Sequence, residues 1–205
     1  LMICSYTELK NLIYSSGIGS KIDIGVCEDV SQASANLERY NISASREVLK
    51  CFQSPLHKKT NVRMSKRSIS FGFSQVLYEG ISAIDNFRTG FYDEITFEKL
   101  DSPIILLGLA LINKVMNFQI ICSSNIVSYV DNNKFYWNDN FNQKDISISI
   151  KKIKYSPPFY NKTYDQIIID DITWDELNHL SRKTLVPESK ESRDMGAGAG
   201  NNDND

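Results

Sequence analysis

Histidine is nearly missing from this chain of 205 residues: His57 and His179 are the only two, too few for a multi-histidine metal centre. The four cysteines, Cys4, Cys27, Cys51 and Cys122, form no CxxC pair, which argues against a zinc ribbon and a dense disulfide scaffold. Isolated among apolar neighbours, they read as small buried hydrophobes. Long apolar runs are also lacking. The most apolar window, Ile104–Ile112, is interrupted by Gly108 and has about half the length needed to cross a bilayer. Neither sign of charge is in excess: 23 Lys and Arg stand against 25 Asp and Glu, a formal net charge of −2. Such a balance announces neither a nucleic-acid nor a membrane partner. Leu1–Tyr6 shows no basic stretch leading into an apolar run, so no secretory leader is expected and a cytoplasmic, reduced setting is the default.

What the chain does have is a hydrophobic fraction of 41% and a charged fraction of 23%, ordinary values for a globular protein. It is also rich in isoleucine and asparagine and poor in alanine, with 24, 18 and 7 residues respectively. AT-rich coding alone produces that skew, so asparagine-rich stretches carry no weight as sites.

The first third reads as helical. Ser5 and Glu8 have capping-box spacing, and Gly17 and Gly19 are expected to end the helix they open. Val26, Val30, Ala33, Leu37 and Tyr40 recur at spacings of four and three, one buried stripe of a second helix. A third helix, Ser43–Gln53, carries Val48, Leu49 and Phe52 and stops before Pro55. Leu56–Arg67 holds five basic residues and no acid, a linker or exposed loop. The period then switches to two: Ile69, Phe71 and Phe73 alternate with serine and glycine, as a half-buried strand requires. Gln75–Phe87 is ambiguous between helix and strand. Pro103–Met116 suits a buried helix, and Phe118–Lys154 is strand territory with a hairpin turn at Asp131–Lys134. Ile167–Ile169 makes a further short strand, and Thr173 with Glu176 predicts a capping box opening a last helix. Helices preceding strands imply an α+β fold, one domain over 1–205, with a mainly antiparallel sheet, a C-terminal helix and a glycine-rich tail.

Candidate site residues fall in two places. Glu28 and Asp29 open the second helix, where acids complement the helix dipole. Glu28 would also serve as a general base if it faced a cleft, and Gln32 and Ala35 share its side of the helix. The glycine cluster Gly17-Ile18-Gly19 ahead of that helix suits a helix–helix turn better than an anion loop, since no strand precedes it. The second place is the tail. Gly196, Gly198 and Gly200 alternate with alanine, and consecutive amides in such a loop can cradle an anion. Ser192 and Arg193 precede them, Arg193 offering a fork for carboxylate or phosphate, and Asp203 and Asp205 follow. A frayed terminus has the same composition. The acids Asp165, Asp170, Asp171, Asp175 and Glu176 lack the alternating ligands and glycine turn of a calcium loop. No metal or cofactor is nominated.

Gly17–Leu37, with Gly25-Val26-Cys27-Glu28-Asp29 opening a helix, resembles the N-terminal region of the bacterial family called domain of unknown function 3726. Arg182–Ser189, Ser192-Arg193, Gly196–Gly200 and Asp203–Asp205 resemble that family's C-terminal end. The middle of the chain carries no such likeness, and the family brings no activity to transfer. The resemblance implies that the tail is native and has a role. Two functional classes follow. In one, an enzyme or enzyme subunit binds a small anionic metabolite beneath the tail, held by Arg193 and the loop amides, with Glu28, Asp203 or Asp205 near the chemistry. In the other, an interaction or assembly protein inserts its tail into a protein partner. A nucleic-acid module using Lys58–Arg67 is the weakest alternative.

Overall fold

A computed structural model describes residues 1–54, 60–113, 118–122, 125–131, 134–138, 147–152 and 161–184. Helix α1 (Tyr6–Gly19) begins at the expected capping box: the Ser5 hydroxyl accepts the Glu8 amide at 3.2 Å, and the Glu8 carboxylate accepts the Ser5 amide at 2.7 Å. Helix α2 (Ile24–Glu38) buries Cys27, Val30, Ala33 and Leu37, and α3 (Ala44–Gln53) buries Val48, Leu49 and Phe52. The predicted stripes are therefore the faces that pack. Two residues with positive φ, Lys21 and Asn41, turn the chain between these helices.

The glycines Gly17 and Gly19 lie inside the last turn of α1 rather than beyond it. Two residues apart, they point to different sides of the helix. A Cβ on Gly17 would stand 2.6 Å from Cys27 Sγ, on α2. One on Gly19 would stand 2.0 Å from the carbonyl oxygen of Leu180, on α6 (Asp171–Arg182). The pair therefore permits two close helix contacts, not an anion loop. The α1–α6 contact is completed by Ser16, whose hydroxyl donates to the Leu177 carbonyl at 2.7 Å.

A seven-stranded sheet follows in the order β2 (Val62–Met64), β3 (Ser68–Ser74), β4 (Glu94–Leu100), β8 (Ile148–Lys152), β5 (Phe118–Cys122), β6 (Asn125–Asp131), β7 (Lys134–Trp137). Every neighbouring pair is antiparallel except β3 and β4. Those two are joined by a π-helical turn (Val76–Gly80) and α4 (Ile81–Arg88), the crossover that parallel strands require. This resolves the ambiguous Gln75–Phe87 stretch as helical. It also adds α4 to the helix expected at Pro103–Met116, α5 (Pro103–Ile112), so that two helices lie between strands. The class is α+β as expected. The hairpin expected at Asp131–Lys134 joins β6 to β7 with those two residues opposite each other.

Helix α5 is apolar on all sides, and its residues Pro103 to Ala110 are buried. It starts with Ser102 accepting the Ile105 amide and with proline in its first turn, an arrangement suited to a helix start. It touches α2, α3, α4 and β6, so one continuous apolar core runs from the helices into the sheet. A second, two-stranded sheet pairs β1 (Met2–Cys4) with β9 (Ile167–Ile169), antiparallel.

Candidate functional site

The β1–β9 ribbon has direct pairs Met2–Ile169, Ile3–Ile168 and Cys4–Ile167. Side chains alternate across a strand, so Cys4, Ile167 and Ile169 turn inward and are buried. Ile3 and Ile168 share the outer face and remain 62% and 58% exposed. Leu1 adjoins them in sequence, and Ile172, in the first turn of α6, is 72% exposed. An apolar cross-strand pair therefore stands on the solvent side of the ribbon.

Asp170 sets where α6 begins. Its carboxylate accepts the Thr173 amide at 2.9 Å, and that bond holds its pKa below the usual carboxylate range. The predicted Thr173–Glu176 capping box is therefore displaced: Thr173 is buried one turn inside, and Asp170 is the cap. From Ile172 the helix continues through Asp175, Glu176 and His179, which follow at three, four and seven residues and share one face. With Gln53 and Leu180 these last three line an open groove of about 400 Å³. The Gln53 side-chain amide donates to Glu176 Oε2 at 2.9 Å across it.

Beneath the ribbon sits Glu38, the last residue of α2. Its Oε1 accepts the Ser45 amide at 2.7 Å and the Ser45 hydroxyl at 2.6 Å. It thereby satisfies the start of α3, where Ser43 makes no side-chain capping bond. Burial pushes the Glu38 carboxyl up to about 7, against the pull of the bonds from Ser45 and Ala44, and the charge of Asp170 adds to the rise. Burial, then Glu8 and Glu38, raise the Cys4 thiol to about 11. Burial does the same to Cys27 and lifts Cys51 well above the usual thiol value. All four cysteines are buried, and the raised values of Cys4, Cys27 and Cys51 suit packing rather than nucleophilic chemistry.

Of the residues nominated from sequence, Glu28 lies within the described part, on the exposed side of α2 with Gln32. Ala35 is fully buried, so the polar side expected for these three does not extend to it. Asp29 is half-buried, and burial, then Asp85 and Glu28, raise its pKa. Ser192, Arg193, Gly196, Gly198, Gly200, Asp203 and Asp205 lie outside the described residues, as do Lys58 and Lys59. The basic stretch is engaged locally where it is described: Arg63 pairs with Glu98 at 3.4 Å, and Arg67 binds Asp93, which Lys152 also reaches. Among the described residues no group of histidine, cysteine or acidic side chains is assembled to hold a metal ion. None of the described helices is long and apolar enough to cross a membrane.

Sequence reasoning missed the ribbon surface. Its signal was available in Ile167-Ile168-Ile169: three apolar residues in a strand present apolar groups on both faces, where a solvated face would alternate. Fold and surface together give an α+β protein with exposed isoleucines on its ribbon and an open groove on α6 lined by Asp175 and Glu176. No protein-family model, curated protein or solved structure matches this chain.

Proposed function

We propose that the protein is an interaction and assembly module that docks a partner protein on the outer face of the β1–β9 ribbon. The observation that carries this reading is the Ile3–Ile168 pair, held opposite each other by backbone pairing and left in solvent. Ile172, four residues beyond Ile168 in the first turn of α6, is exposed as well. Each ribbon strand also has one edge without a partner strand among the described residues, and such an edge accepts an added strand through main-chain bonds. The test is site-specific photo-crosslinking in the source cells. A crosslinker at position 168 should give one discrete adduct, and one at the exposed Gln32 should give none. Excess wild-type protein should compete the adduct away, whereas the Ile3→Asp/Ile168→Asp variant should not. Equal labelling at both positions, or no adduct at 168, overturns the reading.

A second reading is supported by the close approach of Gly19 to α6. Gly19 lies 3.5 Å, measured from the place of a Cβ, from Lys183 Cβ. The two segments that resemble the domain of unknown function 3726 family therefore meet in space, more than 150 residues apart in sequence. On this reading the residues after α6 bind a small anionic metabolite through Ser192, Arg193 and the amides of Gly196, Gly198 and Gly200. Glu28, Asp203 and Asp205 are its candidate acid–base groups. Deleting Gly196–Asp205 should then abolish thermal shifts caused by a panel of carboxylate and phosphate metabolites while leaving the unliganded midpoint unchanged. A panel without any shift on the intact chain removes this reading.

A further inference from the structure

Resting on the interaction reading, we infer that the segment docking on the ribbon is an extended peptide whose apolar residues are followed by lysine or arginine. The apolar end of its site is the Ile3–Ile168 pair. The polar end is reached along α6, where Ile172, Asp175, Glu176 and His179 succeed one another on one helix face. At about 1.5 Å of rise per residue, Ile172 and Glu176 lie about 6 Å apart along the axis, close to two residues of extended chain. A peptide that places an apolar side chain against Ile172 therefore brings its next outward residues over Asp175 and Glu176. The groove there, about 400 Å³ and lined also by Gln53 and Leu180, has room for a long side chain. The hydrocarbon stem of a lysine or arginine would lie on Leu180 with its charge on the carboxylates.

Charge complementarity selects this occupant over a second copy of the chain. Asp175 and Glu176 follow Ile172 on α6, while Asp171 is already paired with the Leu1 amino group at 2.6 Å. Two copies docked with their α6 acids opposed would bring like charges together, which opposes association. A basic segment meets them favourably.

The experiment uses the full chain and two short fluorescent peptides. One carries alternating isoleucines followed by three lysines; its twin carries glutamates in place of the lysines. Fluorescence anisotropy should show the lysine peptide binding at least about tenfold more tightly than its twin. Asp175→Lys/Glu176→Lys should weaken it by about tenfold or more, and Ile168→Asp should abolish binding. If the charge-reversed protein does not fold, Asp175→Asn/Glu176→Gln gives the same contrast in smaller measure. Equal binding of the twins, or binding indifferent to the α6 acids, overturns the inference. So does failure of both peptides to bind. Should the crosslink at 168 persist in that case, the docking face stands and only the partner's chemistry is lost; without the crosslink both fall. A sedimentation-velocity dimer dissolved by Ile168→Asp makes a second copy the occupant and likewise overturns it.

Discussion

The seven-stranded sheet and the two-stranded ribbon use isoleucine to different ends. In the sheet, rows of paired residues separate the two faces. Ile69, Ile95 and Ile150 form one buried row and Phe71, Phe97 and Ile148 another, while Ser70, Thr96 and Ser149 form a row on the opposite face. Alternation there matches a sheet with helices on one side. In the ribbon, Ile167 and Ile169 are buried and Ile168 between them is exposed. The same residue type thus marks core in one sheet and an unsatisfied surface in the other. The informative feature is the break in alternation, since an exposed isoleucine alone is commonplace.

The sharpest way to test this contrast is to remove one large side chain from each sheet. Phe97 is fully buried and stacked on Phe71, ring centroids 5.2 Å apart. Phe97→Ala should cost about 3–5 kcal/mol in urea unfolding, the lost transfer energy plus a cavity. A smaller effect should come from the junction between ribbon and helices, where Glu38 caps α3. Its carboxyl ionises near 4.5 ordinarily and near 7 in the fold. The fold therefore favours the neutral acid: that stabilisation is complete below about pH 4.5 and is lost as the pH rises through 7. The interval corresponds to about 3 kcal/mol, and Glu38→Gln should remove it from a comparison of urea midpoints between pH 4.5 and 8. Identical pH curves for the two proteins would show that folding leaves the carboxyl's pKa unshifted.

Gly19→Ala should cost about 1–3 kcal/mol, because a backbone carbonyl occupies the place of the new methyl and overpacking strains both helices. A melting temperature within a degree of wild type would mean that α6 slides away freely. The smallest effect belongs to the ribbon's outer face. Ile168→Thr should change stability by no more than about 0.5 kcal/mol, while competing less well than wild type for the crosslink at position 168. A loss comparable to Phe97→Ala would place Ile168 in the core and erase the contrast.

What was legible in the sequence was local. Ser5 and Glu8 are three residues apart and cap each other as their spacing implies. The Val26–Leu37 stripe, the apolar α5 segment and the alternation at Ile69 and Phe71 each express the burial of a single element. Interactions between distant segments were not legible. The pairing of β1 with β9 joins residues more than 160 apart, and three-residue strands carry too little pattern to announce a partner. The parallel β3–β4 pair was hidden because β4, Glu94-Ile95-Thr96-Phe97-Glu98-Lys99-Leu100, carries two consecutive charged residues before Leu100 that blur its alternation. Glu38 looked like an ordinary polar residue at a helix end, since the amide it satisfies belongs to the next helix. Asp170 displaced Thr173 as the cap because several residues in that stretch have capping chemistry and only tertiary packing chooses among them. For the glycine pair, the preference for a helix junction over an anion loop agrees with the end of α1 at Gly19. Its glycines serve helix contacts, and the exposed ribbon isoleucines lie beside the acidic run set aside as a calcium loop.

Gly17-Ile18-Gly19 has an evolutionary corollary. Each glycine faces a different neighbour at a spacing that leaves no room for a methyl, so neither can drift while both crossings persist. Distant descendants of the same ancestor could exchange most of their surface and still retain this tripeptide at the end of their first helix, followed by a cysteine or smaller residue eight positions on. That signature offers a handle for recognising kin whose overall likeness has faded.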